Sequence, residues 1–452
     1  MNPYDEIKAY SKTVCEQIRW KKAHKVIAEE IENHICDQRD AYILQGDDEI
    51  TATKKAILQM GDAVSVGMEL DRIHRPKPQW IMISLTALLM LIGALANYFI
   101  DKSEYTLFCF APYIIALTVF LICYFLDFTV LGRYAGYIYL LVLAFSAFQI
   151  LLGKSVGGRM YYSTGRFTVS LSYLTLIFPL AYALLFYSLR HMNYKGIVLC
   201  EIGFVLFAVV LLLIPSFFGF IIFSITAFAN FYICALKGWF GFDKKQGLLL
   251  ALIIPISAVI LALVYIIINP GFLTGITFAF NPYNESDGYG YLSCLIRDLL
   301  VNSKFVGKGS VPYRFESNIP EIPFAKTDYI LTAITYNFGW IAFIVIIAVI
   351  LAFSVLGIYY VTRQRSVLGT LLSLSIILTL ILQASLYIIN NLGFGIIPEV
   401  SMPLISYGKT ALVINSSMIG FMLSVFRTGD IIKDSSISLL KPQSRIFMKM
   451  EN

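Results

Sequence analysis

Residues 80–100 read WIMISLTALLMLIGALANYFI, a stretch without a single charged side chain. A helix needs about 20 consecutive apolar residues to cross the hydrocarbon core of a bilayer. Similar runs recur along the chain, and we expect about ten spans. They are predicted at 80–100, 106–128, 134–152, 168–189, 196–214, 217–236, 247–269, 328–360, 366–389 and 410–426. Because such helices satisfy their own backbone hydrogen bonds, the sequence predicts an all-α polytopic membrane protein.

The composition agrees with this fold class. The chain is 58% hydrophobic and 14% charged, whereas soluble domains carry about 25% charged residues. Its net charge of +6 comes largely from lysines and arginines in the short loops on the side of the termini. This bias predicts cytoplasmic termini and gives no reason to expect a nucleic acid partner.

The sequence contains no evident cofactor motif. The seven cysteines show no paired spacing, so neither a structural disulfide nor a metal site is expected. No glycine-rich nucleotide loop is present. We therefore expect no cofactor, and assistance by a divalent cation stays open.

The chain divides into three predicted parts. Residues 1–76 form a cytoplasmic helical domain, 77–430 form the transmembrane domain, and 431–452 form a cytoplasmic tail. In the first part, Asp47 or Asp48 can cap one helix and Asp62 the next. We expect this part to contact a cytoplasmic protein partner or to have a regulatory role, and a plain helical bundle that only packs and folds is the competing interpretation. Its residue order, with Glu29-Glu-Ile-Glu-Asn-His34, Gly46 and Met60-Gly61-Asp62, resembles the prefix domain that precedes various bacterial permease-like membrane proteins.

The loop over about 270–327, between the seventh and eighth spans, is expected to be extracellular. Loops of this length are usually functional or disordered. Asp328 stands where this loop re-enters the membrane, in Pro323-Phe-Ala-Lys-Thr-Asp328-Tyr-Ile. An ionisable group at a membrane boundary is costly, so Asp328 is the leading catalytic candidate. The competing interpretation is a helix N-cap, a position that aspartate favours.

Two motifs carry a family resemblance. The first is Phe305-Val-Gly307-Lys308-Gly309, followed by Pro323 and Thr327-Asp328-Tyr329. The second is Pro403-Leu-Ile-Ser406-Tyr407-Gly408. Together they resemble the signature of the SEDS family (shape, elongation, division and sporulation), which includes FtsW, RodA and SpoVE. The resemblance covers roughly residues 80–430, and the chain looks like a divergent member.

The departures from the family pattern are specific. Lys326 stands where the family usually has histidine. Tyr336-Asn337 replaces an acidic pair, and Lys409-Thr410 replaces Gly-Ser after the second motif. These departures keep open a non-catalytic scaffold for a cell-wall synthesis complex. A flippase or transporter for a lipid-linked precursor is a further alternative.

The resemblance implies a peptidoglycan glycosyltransferase that polymerises lipid II at the outer face of a bacterial cell membrane. Asp328 would be the general base that activates the acceptor hydroxyl. Nearby cations would stabilise the leaving pyrophosphate. The implied substrate-binding residues are Lys308, Lys326, Arg297, Arg314, Ser406 and Tyr407. The implied partners are a class B penicillin-binding protein and membrane lipids.

Several of these residues have a competing structural interpretation. Lys308 could equally be a solvated lysine in a turn. Lys326 could pair with Asp328. The run Ser406-Tyr407-Gly408 fits a turn that shapes the cavity better than a reacting group. Asn390-Asn391 could hydrogen-bond substrate but fits loop capping better.

Overall fold

The computed structural model describes residues 3–100, 110–156, 159–163, 168–241, 243–286, 288, 290–312, 322–395 and 401–429. They form two compact units. The first comprises residues 3–78 with 427–429, and the second comprises residues 79–426. The predicted domain limits at residues 76 and 430 stay predictions.

The first unit contains four helices around a small apolar core. They are α1 (Pro3–Glu16), α2 (His24–Leu44), α3 (Glu49–Met60) and α4 (Ala63–His74). Ile27, Ile31 and Ile35 of α2 are buried in this core, as their spacing indicates. The Asp48 carboxylate accepts from Thr51 N at 3.1 Å and that of Asp62 from Ser65 N at 2.9 Å, so both predicted caps are confirmed.

The second unit is an all-α polytopic membrane fold. Among its described residues are α5 (Trp80–Ile100), α6 (Ala111–Phe125), α7 (Thr129–Arg133), α8 (Ala135–Leu152), α9 (Leu171–Leu174), α10 (Phe178–Leu189), α11 (Asn193–Leu213), α12 (Phe217–Leu236), α13 (Lys244–Ala251), α14 (Ile253–Ile268), α15 (Gly271–Phe280), α16 (Tyr291–Val301), α17 (Ile330–Phe338), α18 (Trp340–Thr362), α19 (Val367–Asn391) and α20 (Lys409–Thr428). Within the described ranges, nine helical segments are long and apolar enough to cross a membrane, with α9 and α10 (Leu171–Leu189) counted as one segment and α13 and α14 (Lys244–Ile268) as another. The shorter apolar helix α6 lies within the predicted second span.

A small antiparallel sheet precedes the fourth span. It contains β1 (Lys154–Val156), β2 (Arg159–Ser163) and β3 (Thr168–Ser170). Helix is predicted from residue 168, but the structure begins helix only at Leu171. Val169 pairs with Tyr162 across β2 and β3, and β-branched and aromatic residues favour such strand pairs.

The predicted eighth span is divided into two helices. Gly339 separates α17 from α18 and has φ +94, a left-handed conformation that disfavours other residues. A Cβ atom at Gly339 would lie 2.5 Å from Phe305 O. The membrane span therefore begins at Trp340, and α17 is a separate helix of nine residues.

Among the candidate membrane spans of the second unit, the most buried are α19 and the paired α9 and α10, followed by α20. Side chains of α5, α6, α9, α12, α17, α18, α19 and α20 form the main apolar core. Helix α16 packs against α17 through Leu295, Leu299 and Tyr336. The segment between α15 and α17 is thus packed against a helix of the core.

The Asp62 cap generates a prediction for α4. We expect Asp62→Ala to lower amide protection in the first turn of α4, because the N–H of Ser65 loses its acceptor. Hydrogen exchange of the full chain, corrected for intrinsic rates, measures this. Asp62→Asn is the matched control and should keep most of the protection.

The same cap has a pH dependence. The backbone N–H of Ser65, and then its hydroxyl, hold the pKa of the Asp62 carboxyl below its ordinary value. A lowered pKa means that the cap stabilises above the ordinary aspartate pKa of about 3.9 and is lost as the pH falls through the lowered value. The amide in Asp62→Asn does not titrate, so equal pH dependence in the wild type and in this variant would contradict the role of the carboxylate.

Candidate active site

Asp328 closes a tight turn directly before α17. The carbonyl of Phe324 accepts from the N–H groups of Thr327 and Asp328, each at 3.0 Å, and from Tyr329 at 3.3 Å. Phe324 has φ +57, which is unusual for a residue with a side chain and marks a constrained backbone. The N-cap of α17 is Tyr329, and it makes no side-chain capping bond. Asp328 is therefore not the N-cap, and only 6% of it is exposed.

Asn391, the last residue of α19, holds the start of α17. Its Nδ2 donates to Asp328 O at 2.9 Å. Its Oδ1 accepts from Thr332 N at 3.1 Å and from Thr332 Oγ1 at 3.0 Å. Both side chains are buried, so these bonds are shielded from water. Asn391 thus fixes the backbone of Asp328, a larger role than the loop cap expected from sequence.

Ser406 joins the second motif to the first. Its Oγ donates to Thr327 O at 2.7 Å and accepts from Met402 N at 2.8 Å. The N–H of Tyr407 donates to Lys326 O at 3.0 Å. The two motifs are far apart in sequence, yet their backbones are held together beside Asp328.

Tyr387 of α19 supports the same carbonyl. Its hydroxyl donates to Thr327 O at 3.3 Å and accepts from Leu331 N at 3.4 Å. Tyr387 is fully buried. It was not predicted as a site residue, because only the fold brings this position of an apolar helix to the Asp328 turn.

The second motif is itself held against α5 and α6. Tyr113 Oη donates to Ile405 O at 2.7 Å, and Asn97 Nδ2 donates to Tyr113 Oη at 2.8 Å. The rings of Tyr113 and Tyr407 lie 6.5 Å apart. A Cβ atom at Gly93 would lie 2.6 Å from Ile405 O, so α5 approaches this turn closely. Tyr407 is half-buried beside the Asp328 turn.

Lys308 lies at the opposite end of α17. The N–H of Gly307 donates to Phe338 O at 3.0 Å, and the N–H of Gly309 donates to Tyr336 O at 2.8 Å. The rise from Ile330 to Phe338 is about 12 Å in a regular helix. The backbones of Lys308 and Asp328 are therefore on opposite ends of α17, and the structure does not bring them together.

The other predicted cations differ in their surroundings. The Arg297 guanidinium donates to three backbone carbonyls, namely Gly393 O at 3.1 Å, Phe280 O at 3.3 Å and Ala279 O at 2.8 Å. These bonds tie α16 to the ends of α15 and α19. Lys326 is half-buried in the Asp328 turn. Arg314 lies outside the described residues.

Tyr336 and Asn337 stand where the sequence comparison expects an acidic pair, and Tyr336 has a structural role in this chain. Tyr336 Oη donates to Ser310 O at 3.2 Å and helps to hold the glycine-rich turn. Burial raises the pKa of the Tyr336 phenol, which keeps it a neutral donor. The described residues contain no cluster of three or more histidine, cysteine, aspartate or glutamate side chains that could hold a metal ion.

A model of the FtsW/RodA/SpoVE family, described as cell cycle protein, matches residues 76–430. The chain belongs to this family. The SEDS resemblance carried by the two motifs is thereby confirmed, and the match includes every described residue of the candidate site.

Named relatives of this SEDS protein are distant. The peptidoglycan glycosyltransferase MrdB of Escherichia coli is 24% identical over 149 residues, which are 32% of this chain and 39% of the relative. The aligned part thus spans about two fifths of that relative. A protein named "Probable peptidoglycan glycosyltransferase FtsW" from Coxiella burnetii is 24% identical over 371 residues, which are 76% of this chain and 95% of the relative.

Solved structures have the same fold. A chain from a study entitled "Structural coordination of polymerization and crosslinking by a peptidoglycan synthase complex" matches with a TM-score of 0.58 and 17% identity, covering 78% of this SEDS protein and 98% of that chain. A variant of the rod shape determining protein RodA from Thermus thermophilus matches with a TM-score of 0.51 and 14% identity, covering 78% and 98%. At these identities the likeness concerns the fold alone.

The hydrogen bonds of Asn391 predict its effect on stability. Asn391→Leu leaves the carbonyl of Asp328 and the N–H of Thr332 without this partner, and each unmade buried bond costs about 1–3 kcal/mol. The Thr332 hydroxyl keeps the backbone carbonyl of residue 391 as an acceptor, at 3.1 Å. We expect a clear fall in the thermal unfolding temperature in detergent. Ser354→Ala is the control, because Ser354 Oγ bonds only within its own helix, to Ile350 O at 2.8 Å. Equal shifts in the two variants would contradict the role of Asn391.

Proposed function

We propose that this SEDS protein is a peptidoglycan glycosyltransferase that polymerises lipid II into glycan strands. The observation that carries the proposal is the buried Asp328, whose backbone is fixed from both sides by Asn391 and by Ser406 through Thr327. A general base must be held in position within reach of the proton that it removes. The names of the distant relatives support the same reaction.

In the proposed reaction, the 4-hydroxyl of the acceptor sugar attacks the anomeric carbon of the donor. A new carbon–oxygen bond forms there, while the bond from that carbon to the lipid pyrophosphate breaks with its electron pair. Asp328 accepts the proton of the attacking hydroxyl and later releases it to solvent. One carboxylate is enough for this direct displacement, because the leaving pyrophosphate needs no proton from the protein.

The leaving group requires positive charge. We propose Lys326 for this contact, because it lies in the same turn as Asp328. Arg297 and Ser406 act by positioning, since their polar atoms bond backbone carbonyls. We also propose Tyr407 and Arg314 as substrate contacts, and we keep assistance of the reaction by a divalent cation as an alternative.

We propose that the loop with Asp328 faces outward and that both termini are cytoplasmic, in line with the charge bias of the loops. The protein would work beside a class B penicillin-binding protein, which crosslinks the strands. The study of a peptidoglycan synthase complex with the same fold supports such an assembly. The four-helix unit of residues 3–78 would contact a cytoplasmic partner.

Replacing Asp328 tests the proposed chemistry. We expect Asp328→Asn to lower the rate of polymerisation of fluorescent lipid II by about 10²-fold or more, because the amide cannot take the proton. Glycan chains formed by purified protein in vesicles, with and without a penicillin-binding partner, are measured on gels. Asp298→Asn is the matched control, because it makes the same substitution in α16, away from the Asp328 turn. The Asp298 carboxylate accepts there from Tyr283 Oη at 3.0 Å.

Full polymerisation by Asp328→Asn would contradict its role as base. If wild-type protein forms no chains with any partner, the scaffold or the flippase becomes the better account, and translocation of labelled lipid II is then measured. Thermal unfolding of both variants shows whether a lost activity reflects lost folding.

Lys326 has its own test. We expect Lys326→Gln to lower kcat/KM for lipid II about tenfold or more, because a charged hydrogen bond to the pyrophosphate contributes about 1.5–3 kcal/mol and strengthens as the leaving group gains charge. Lys326→Arg should retain most of kcat/KM. An unchanged kcat/KM in the glutamine variant would exclude this contact, and steady-state kinetics at several lipid II concentrations decide between the outcomes.

A further inference from the structure

The segment Lys304-Phe-Val-Gly-Lys308 exposes two apolar side chains between two cations. Phe305 is 65% exposed and Val306 is 63% exposed. Both lysines are exposed as well. Neither lysine forms an ion pair with a residue in the described ranges. In water such an arrangement would be unfavourable for the apolar pair and would leave the charges to solvent.

Backbone hydrogen bonds hold this segment beside the first residues of a membrane-spanning helix. The N–H of Trp340 donates to Lys304 O at 3.0 Å, and the N–H of Ile341 donates to Phe305 O at 3.1 Å. Trp340 is the first residue of α18, most of whose spanning residues are not buried within the protein. The segment therefore lies where α18 enters the bilayer, and tryptophan is enriched at that boundary.

A second membrane-spanning helix, α5, ends near the same segment. Phe99 lies one residue before the end of α5, and its ring centroid is 6.1 Å from that of Phe338. Phe99 is 54% exposed and Ile341, whose N–H is bonded to Phe305 O, is 42% exposed, so both add apolar surface at the start of α18. The ends of two membrane-spanning helices thus border the segment.

We propose that residues 304–308 form an interfacial anchor in the leaflet that faces the Asp328 loop. Phe305 and Val306 insert at the boundary between headgroups and acyl chains, and Lys304 and Lys308 bind the phosphates of anionic phospholipids there. Apolar side chains flanked by lysines are the pattern that places a segment at a bilayer surface. The anchor goes beyond the proposed function and does not depend on it.

The geometry favours bilayer phospholipid over a substrate phosphate. Gly307 and Gly309 are bonded to the last turn of α17, whereas Asp328 lies before its first turn, about 12 Å away along the axis. The anchor holds the far end of the helix that follows Asp328. Membrane lipid would therefore set the level of α17 in the bilayer.

Depth measurement tests the apolar part. An environment-sensitive fluorescent amino acid is placed at position 306 or at position 284 of the full chain in phosphatidylcholine nanodiscs with equimolar phosphatidylglycerol. Asn284 is an exposed residue of the outer turn Pro282–Glu285 and serves as the control. We expect lipid carrying a quencher just below the headgroup to quench the probe at 306 several-fold more than the probe at 284. Equal quenching would overturn the proposal.

Charge removal tests the cationic part. We expect Lys304→Gln/Lys308→Gln to lower the affinity for fluorescent phosphatidylglycerol, by about fivefold for each lysine. Lys304→Arg/Lys308→Arg retains the charges and should retain the affinity. Circular dichroism and thermal unfolding show that each variant is folded.

Unchanged phosphatidylglycerol affinity in the glutamine variant would overturn the cationic assignment. If that variant also binds a lipid pyrophosphate more weakly, the lysines are assigned to a substrate phosphate instead. Loss of phosphatidylglycerol binding with the expected probe depth supports the anchor whether or not the protein polymerises lipid II.

Discussion

The carbonyl of Thr327 is the point on which the candidate site depends. It accepts from Ser406 at 2.7 Å and from Tyr387 at 3.3 Å, residues that lie 79 and 60 positions further along the chain. The next carbonyl, that of Asp328, accepts from Asn391 at 2.9 Å. Since an unmade bond to a buried polar group costs about 1–3 kcal/mol, these donors hold the turn in one arrangement. All three donors bind backbone carbonyls, so they position the turn through its backbone.

Helix α17 connects this turn to the membrane boundary. Asp328 precedes its first turn, and the glycine-rich turn around Lys308 is bonded to its last. Gly339 then allows the chain to change direction into α18, because its left-handed φ and the close approach of Phe305 O exclude a Cβ atom. A buried carboxylate, a short rigid helix and an interfacial segment thus form one continuous unit.

Hydropathy is enough to predict the spans, because burial in lipid depends on local composition. Asp328 could be singled out for the same reason, as an ionisable group at a boundary. The break at Gly339 and the strand at Thr168 could not be found from hydropathy, since both depend on pairing with other segments. Likewise, Lys308 is near Asp328 in sequence, but nonlocal backbone bonds place it at the other end of α17. The hydrogen bonds of Asn391 to Asp328 and Thr332 could be found only from the folded structure.

A double-mutant cycle on the rate of polymerisation tests most directly whether Asn391 and Ser406 act together to position Asp328. The single variants Asn391→Leu and Ser406→Ala are compared with the double variant, using the rate of lipid II polymerisation. If both act through one turn, the double variant loses no more activity than the worse single variant, because residues that act as a unit are not additive. Additive losses would mean that the two motifs contribute independently and would contradict this account.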